Sequence, residues 1–299
     1  MDPKRFGIGT WQTFNSKYNE DVLGDLLRLA ISRGIIFFDT ASSYEDGFAE
    51  EVLGRLLSEF PRDSFLLCTK CFFPTRTSRR GGLGAGHVRD SLEGSLERLK
   101  VDSVDYYLAH RHDPDETLER VAQTFCTLVE EGKTAHWGIC RWPIEEAINL
   151  INYCVRNGLQ PPILQQYHYN LFTREAEERS FPLFHSHGLP TVSYSPLAQG
   201  VLTGKYGGEI IDSERSSTVQ SRASMWDLRP DKVLKAQRWH HELESKGLTL
   251  TGAAIDFCLR RIEIDRVLPG VRSADQLEET LPNIAAVLNM SKKWDVDEL

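Results

Sequence analysis

Eight short apolar runs, separated by stretches of helical periodicity, set the tightest limit on what this chain can fold into. They are FGIGTW (6–11), IIFFDTA (35–41), FLLCTK (65–70), DYYLAH (105–110), AHWGIC (135–140), ILQQY (163–167), PTVSYS (190–195) and RVLPG (266–270). Their hydrophobicity is continuous rather than alternating, as in parallel strands buried on both faces under helices. Between them, Leu23, Leu26, Leu27, Ala30 and Ile31 form a stripe at i, i+3, i+4, i+7 and i+8, with Gly34 as a helix stop. Val88, Leu92, Leu96 and Leu99 form a second stripe, and Leu118, Val121, Phe125 and Leu128 a third that closes at Glu130-Glu131-Gly132-Lys133. Eight βα units of this kind are what a (β/α)8 TIM barrel needs, so the expected fold is α/β, one barrel domain over residues 1–299. A doubly wound sheet competes, but it wants a Gly-rich phosphate turn after an early strand, and GIGT at 7–10 lacks the third, helix-opening glycine. Residues 204–230, rich in Gly, Ser and Arg, break the rhythm and read as a lid or binding loop.

Bulk properties remove several classes of function. A net charge of -8 argues against nucleic acid or an anionic membrane as the main partner, since both call for clustered basic surface. No stretch reaches the roughly 18 apolar residues of a membrane span, and MDPKRFGIGTW carries no secretory apolar core. The expectation is a cytoplasmic protein acting on a small molecule, with homo-oligomerisation left open. Six scattered cysteines suit reduced thiols better than a disulfide framework. Cys68 and Cys71 have the spacing of a dithiol redox site. They close an apolar strand instead of opening a helix, and residues three apart on a strand face opposite sides, so buried strand cysteines are the preferred reading.

In a barrel the site lies at the carboxyl ends of the strands, which makes polar residues that close apolar runs the candidates. Asp39 closes the second run, Lys70 the third and His110 the fourth, while Tyr44 sits one short loop beyond Asp39. Singly, each has an ordinary reading: a loop-capping Asp, a rim Tyr, a solvated Lys, a core His. Together they suggest proton transfer at a tuned tyrosine. An adjacent ammonium favours phenolate, so Lys70 is expected to draw Tyr44 from about 10 toward neutrality, with Asp39 keeping Lys70 charged. His110 and His112 form an H-x-H that alternation would put on one face, as a zinc hydrolase could use. His136, however, falls at the start of the fifth run, the wrong end of the barrel, and no metal is expected. Trp11, Phe72, Trp142 and Trp226 fall near loop tops, as core packing or as walls of an apolar substrate pocket.

A set of motifs carries a resemblance: D-T-A-x-x-Y at 39–44, AEEVLGRLL at 49–57, T-K at 69–70, SLEGSLERLKVDSVDYYLAHR at 91–111, EEGKTAHWGI at 130–139, YSPLAQGVLTGKY at 194–206 and LPGVRSADQLEE at 268–279. Together these resemble the aldo-keto reductases, TIM-barrel carbonyl reductases that use NAD(P)H. AHRHDPDETLE and the Arg-Trp pair after Cys140 resemble the branch holding bacterial glyceraldehyde-type reductases and potassium-channel β subunits. The resemblance implies Tyr44 as general acid, Lys70 and Asp39 as the residues that tune it, and His110 as the group orienting the substrate oxygen. Trp11, Tyr44, His110 and Phe72 would meet the substrate. Gln166 would bind the carboxamide, Tyr194 stack on the nicotinamide, Ser195, Leu197, Gly200 and Lys205 serve the pyrophosphate, and Arg272, Ser273, Gln276 and Glu279 the adenosine end. The implied cofactor set also takes in Thr10, Trp11, Asp39, Cys140, Arg141 and Gly270.

Departures from the pattern narrow this. Cys140-Arg141 replaces the usual Ser-Asn, leaving Arg141 two destinations, cofactor or substrate. Thr280 stands where Asn is common and Gln276 where NADPH-specific members often have Arg. NADP(H) is still favoured over NAD(H), with Arg272, Arg215 and Arg222 as charge for a 2'-phosphate. The usual N-terminal hairpin is nearly absent, so Met1 to Phe6 or a partner would seal the barrel floor. The short charged tail favours small polar aldehydes or keto-sugars over steroids. The rival function is a redox-sensing regulatory subunit that holds NADPH and turns over slowly; a metal-dependent barrel hydrolase is third.

Overall fold

The computed structural model describes residues 2–15, 17–75, 79–206 and 229–289. Eight strands form one sheet in sequence order: β1 (Gly7–Gly9), β2 (Phe37–Asp39), β3 (Leu66–Cys71), β4 (Val104–Ala109), β5 (Thr134–Cys140), β6 (Gln165–His168), β7 (Thr191–Tyr194) and β8 (Ile264–Leu268). Every neighbouring pair is parallel. A parallel bridge from Phe6 to Val267 brings β8 back beside the first strand and nearly closes the barrel. All eight expected strands are therefore present.

The helices among the described residues are α1 (Glu20–Ser32), α2 (Phe48–Leu57), α3 (Ala85–Leu99), α4 (Leu118–Glu130), α5 (Ile144–Arg156), α6 (Ser180–Ser186), α7 (Pro230–Ser245), α8 (Leu250–Leu259) and α9 (Ala274–Asn289). The expected apolar stripes are their buried faces: Leu23, Leu26, Leu27 and Ala30 on α1, Val88, Leu92, Leu96 and Leu99 on α3, Val121, Phe125 and Leu128 on α4. Helix α1 begins where the Asn19 side chain accepts from the Asp21 amide and stops at Gly34, whose φ of 78° only glycine adopts without strain. Most of the 204–230 segment, including Arg215, Arg222 and Trp226, lies outside the described residues.

Strand alternation divides the core in two. Phe37, Cys68, Leu108, Leu164, Val192 and Leu268 pack inside the barrel. Their neighbours Phe38, Leu67, Tyr107, Ile139 and Val267 face the helices. Gly138 shows how tight the interior is: a Cβ there would lie 2.7 Å from Leu108 Cδ2 and 2.3 Å from the Leu164 carbonyl.

The amino ends of the strands close the floor with their own side chains. Arg266 lies 4.4 Å over the Phe37 ring, and Tyr106 contacts both Phe37 and His136 at ring separations of 5.7 Å. Residues 2–6 run along β8 outside this plug: Arg5 donates to the Ile264 carbonyl at 2.7 Å, and Arg266 donates back to the Lys4 carbonyl at 2.8 Å. Of the two expected seals, Met1 to Phe6 or a partner, the first is met only in part: Met1 lies outside the described residues, the strands supply the plug, and residues 2–6 brace it. No helix among the described residues is long and apolar enough to cross a membrane.

Candidate active site

The same alternation builds the top. One inward residue at or just past the carboxyl end of each strand gives Gly9, Asp39, Lys70, His110, Cys140, Gln166, Tyr194 and Leu268. Seven of these line a single cavity of about 800 Å³, with Tyr44 and Trp11 in its wall; Lys70 lies fully buried beneath.

Lys70 organises this floor. Its Nζ donates to Asp39 Oδ1 at 2.7 Å, to the Thr40 carbonyl at 2.6 Å and to the Tyr44 hydroxyl at 3.3 Å. Gln166 donates to the other Asp39 oxygen. Burial works against the ammonium, but Asp39 above all holds the Lys70 pKa above its ordinary value. The expected drop of Tyr44 toward neutrality is not what the surroundings produce. Burial is the larger effect and pushes the phenol up to about 12, with Lys70 pulling it down and Asp39 pushing it up. Tyr44 is accordingly protonated at neutral pH. Burial, then Lys70, Arg111 and Arg141, push His110 well below the usual histidine value, so its imidazole is neutral at pH 7. Its ring meets that of Tyr44 edge-on at 5.8 Å, and its Nδ1 is buried without a hydrogen-bond partner among the described residues.

A second buried cluster holds the tyrosine loop to the lysine strand. Glu50 on α2 is fully buried, accepting from Thr69, the residue before Lys70, at 2.5 Å and from Arg98 Nε on α3 at 2.8 Å. Arg98 also fills the space beside Gly47, where a Cβ would sit 2.8 Å from its Cδ. Since Gly47 has a φ of 92°, the turn from Tyr44 into α2 requires glycine there twice over.

Backbone strain gathers at this mouth. Of the eight non-glycine residues with left-handed φ among those described, Gln12, Glu45, Arg141, Ser195 and Gln199 all line the cavity. Such conformations cost of order 1–3 kcal/mol each and persist where function fixes the backbone.

The structure brings most of the expected site residues together. Trp11, Asp39, Tyr44, His110, Cys140, Arg141, Gln166, Tyr194, Ser195, Leu197, Gly200, Lys205, Gly270, Arg272, Gln276 and Glu279 line the cavity. Thr10 does not: it is buried, and its hydroxyl donates to Thr40 Oγ1. Phe72 does not either, because the chain has left the strand there and Phe73 takes the place, its ring 5.3 Å from His110. Trp142 is buried behind the wall, its indole N–H donating to the Ala109 carbonyl. His112 packs on Trp142 and not beside His110, because β4 ends at Ala109 and strand alternation stops with it. Ser273 caps α9, accepting from the Gln276 amide at 3.3 Å. Cys68 and Cys71 face opposite sides of β3, and burial raises both thiols. Among the described residues no group of three or more His, Cys, Asp or Glu side chains could hold a metal ion.

Sequence reasoning missed Phe73, Leu268, Thr251 and Asn283 in the lining. Asn283 had a signal: it follows Gln276, Glu279 and Thr280 at helical spacing on one face. Leu268 had strand parity.

A barrel mouth with a buried lysine bonded to a carboxylate and a phenol, beneath a cavity of about 800 Å³, is the candidate site of this barrel. Residues 5–299 match the Aldo/keto reductase family, and the chain belongs to it. Members are nicotinamide-dependent oxidoreductases that reduce carbonyl compounds. The residues present fit such a cofactor. Among the described residues the Tyr194 hydroxyl is buried without a hydrogen-bond partner, its ring already stacked on His168 at 5.3 Å, and no atom lies within 4 Å of where a Cβ on Gly270 would stand.

Proposed function

We propose that this protein reduces small polar aldehydes or keto-sugars to alcohols with a reduced nicotinamide dinucleotide, Tyr44 being the general acid. The observation that carries the reading is the Lys70 ammonium bonded at once to Asp39 and Tyr44 at the floor of the cavity. The bound cofactor supplies hydride to the carbonyl carbon. The chain supplies everything else. Tyr44 gives its proton to the carbonyl oxygen, and Lys70, held charged by Asp39, stabilises the phenolate left behind. Neutral His110 orients the same oxygen without competing as a charge. Phe73 and Trp11 exclude water from the reacting face.

Gln166, Tyr194, Cys140 and Arg141 would hold the nicotinamide end, Ser195, Leu197, Gly200 and Lys205 the pyrophosphate, and Gly270, Arg272, Gln276 and Glu279 the adenosine end. NADP(H) is favoured over NAD(H), because Lys205 and Arg272 bring positive charge to the half of the cavity lined by β7, β8 and α9. The branch of glyceraldehyde-type reductases and channel β subunits remains the proposed placement; Asp39, Tyr44 and His110 at the cavity with Lys70 directly beneath argue against an inert scaffold, and turnover separates catalysis from a sensing role. Purified protein is mixed with NADPH or NADH and a panel of aldehydes, and loss of reduced-cofactor absorbance is followed. Turnover with a short aldose or methylglyoxal supports the reading. Cofactor binding without turnover of any carbonyl would return the chain to the sensing alternative.

A further inference from the structure

The catalytic end of the cavity holds a charged group that the proposed reaction leaves unused. Arg111 follows His110 directly and lines the same cavity. Its guanidinium lies 5.5 Å from the Phe73 ring, Phe73 lies 5.3 Å from the His110 ring, and His110 lies 5.8 Å from the Tyr44 ring. The cation therefore stands a short chain of ring contacts away from the phenol. Its contacts among the described residues are the His110 carbonyl at 2.6 Å, the Cys140 thiol at 4.0 Å and the Phe73 ring. No carboxylate among those residues pairs with it, although the site has acids. Asp39 is bonded to Lys70 and Gln166, and Glu45 lines the cavity without an ion pair to Arg111. The Phe73 ring and the His110 carbonyl hold the guanidinium in place, but neither neutralises its charge, and a guanidinium has five N–H donors, more than these contacts use.

Arg141 adds to the same field. It lines the cavity with a φ of 55°, its amide bonded to the Gln166 carbonyl at 3.0 Å. The electrostatics divide the labour: His110, neutral, is left for the carbonyl oxygen, Lys70 is paired with Asp39 beneath the cavity, and the two arginines bring further positive charge to the cavity lining.

We infer that the site takes carbonyl compounds that also carry an anionic group, a carboxylate or a phosphate, and that Arg111 binds that group. The inference rests on the reductase reading above and names its substrate class. A guanidinium offers paired N–H donors that match both anions, so it fixes the far end of the substrate while Tyr44 and His110 meet the carbonyl.

The test compares matched pairs with NADPH and with NADH: succinic semialdehyde against pentanal for a carboxylate, and glyceraldehyde 3-phosphate against glyceraldehyde for a phosphate. The anionic member of at least one pair should have the higher kcat/KM by roughly tenfold or more, the scale of a charge-assisted hydrogen bond. Which pair shows the preference identifies the anion. In Arg111→Met that ratio should fall toward one, mainly through the KM of the anionic substrate, and Arg111→Lys should recover part of it. If Arg111→Met fails to fold, competitive inhibition of wild-type pentanal reduction by glutarate gives the same information. Neutral aldehydes reduced as well as or better than their anionic partners would overturn the inference and leave the reductase reading intact. So would an Arg111→Met protein with a raised KM for the cofactor and an unchanged ratio. Absence of turnover with all four compounds would instead remove the reductase reading on which the inference rests.

Discussion

Lys70 Nζ stands 3.3 Å from the Tyr44 hydroxyl, and the lysine making that contact is wholly out of solvent. A buried ammonium persists only with compensation, which Asp39 and the Thr40 carbonyl provide. The relation makes Tyr44→Phe the most direct test of the acid. That variant should lose at least about a hundredfold in kcat, the lower end of general acid contributions, while the cofactor Kd from fluorescence titration changes little, since no nucleotide contact is removed. Full retained activity would remove Tyr44 from the role.

The pH profile should carry the sign of burial. With Tyr44 raised to about 12, reduction has its proton donor through neutral and mildly alkaline pH and loses it only as pH climbs through that region. Oxidation of an alcohol, which needs the phenolate, should accelerate over the same rise. Lys70→Met removes the nearest charge lowering the phenol, so at a fixed alkaline pH its oxidation rate should drop, roughly tenfold for each unit that the pKa climbs. An alkaline limb near neutrality in the wild type would contradict the assignment.

Stability should weaken on the acid side. His110 in the folded state lies well below the ordinary value of about 6.5, so unfolded chains bind its proton first. The stability it contributes is fully present above pH 6.5 and is lost as pH falls toward the folded value. His87, lowered by its own burial, adds to the same trend. Urea midpoints measured from pH 7.5 to 5 should decline, with a shallower slope in His110→Asn and shallower still when His87→Asn is added.

The Glu50–Arg98 pair should matter to folding more than its distance from the cavity suggests. Arg98→Met leaves Glu50 buried with Thr69 as its one remaining side-chain donor among the described residues, and removing one member of a buried ion pair costs about 3–5 kcal/mol. Chemical denaturation reads this directly. A loss below about 1 kcal/mol, the range of surface pairs, would show that Glu50 has found water or a new donor.

Phe73 and Phe72 separate a wall residue from its backing. Phe73→Ala should raise KM for carbonyl substrates severalfold more than Phe72→Ala, because Phe73 alone lines the cavity. Equal effects in steady-state kinetics would mean that the two rings act as one packed unit.

Much of this was legible in the amino-acid order. The eight apolar runs are the eight strands, and Asp39 and Lys70 announced themselves as ionisable groups ending otherwise apolar segments. What failed to show was whatever parity does not govern. Past the last residue of β3 and β4 the two-residue period lapses, so Phe72 could not be told from Phe73, nor His112 from a neighbour of His110. The direction of the Tyr44 shift was hidden differently. Charges near a residue can be guessed from spacing, but how deeply its ring is sunk depends on chain segments far away in sequence.

The cavity floor made of one inward side chain per strand has a further consequence. Inserting or deleting a single residue within β3 would turn Lys70 toward the helix layer and present Thr69 or Cys71 to the mouth. Chemistry and alignment are thus inseparable in this barrel: a frame slip in any one stave would preserve its greasy character yet silence the enzyme.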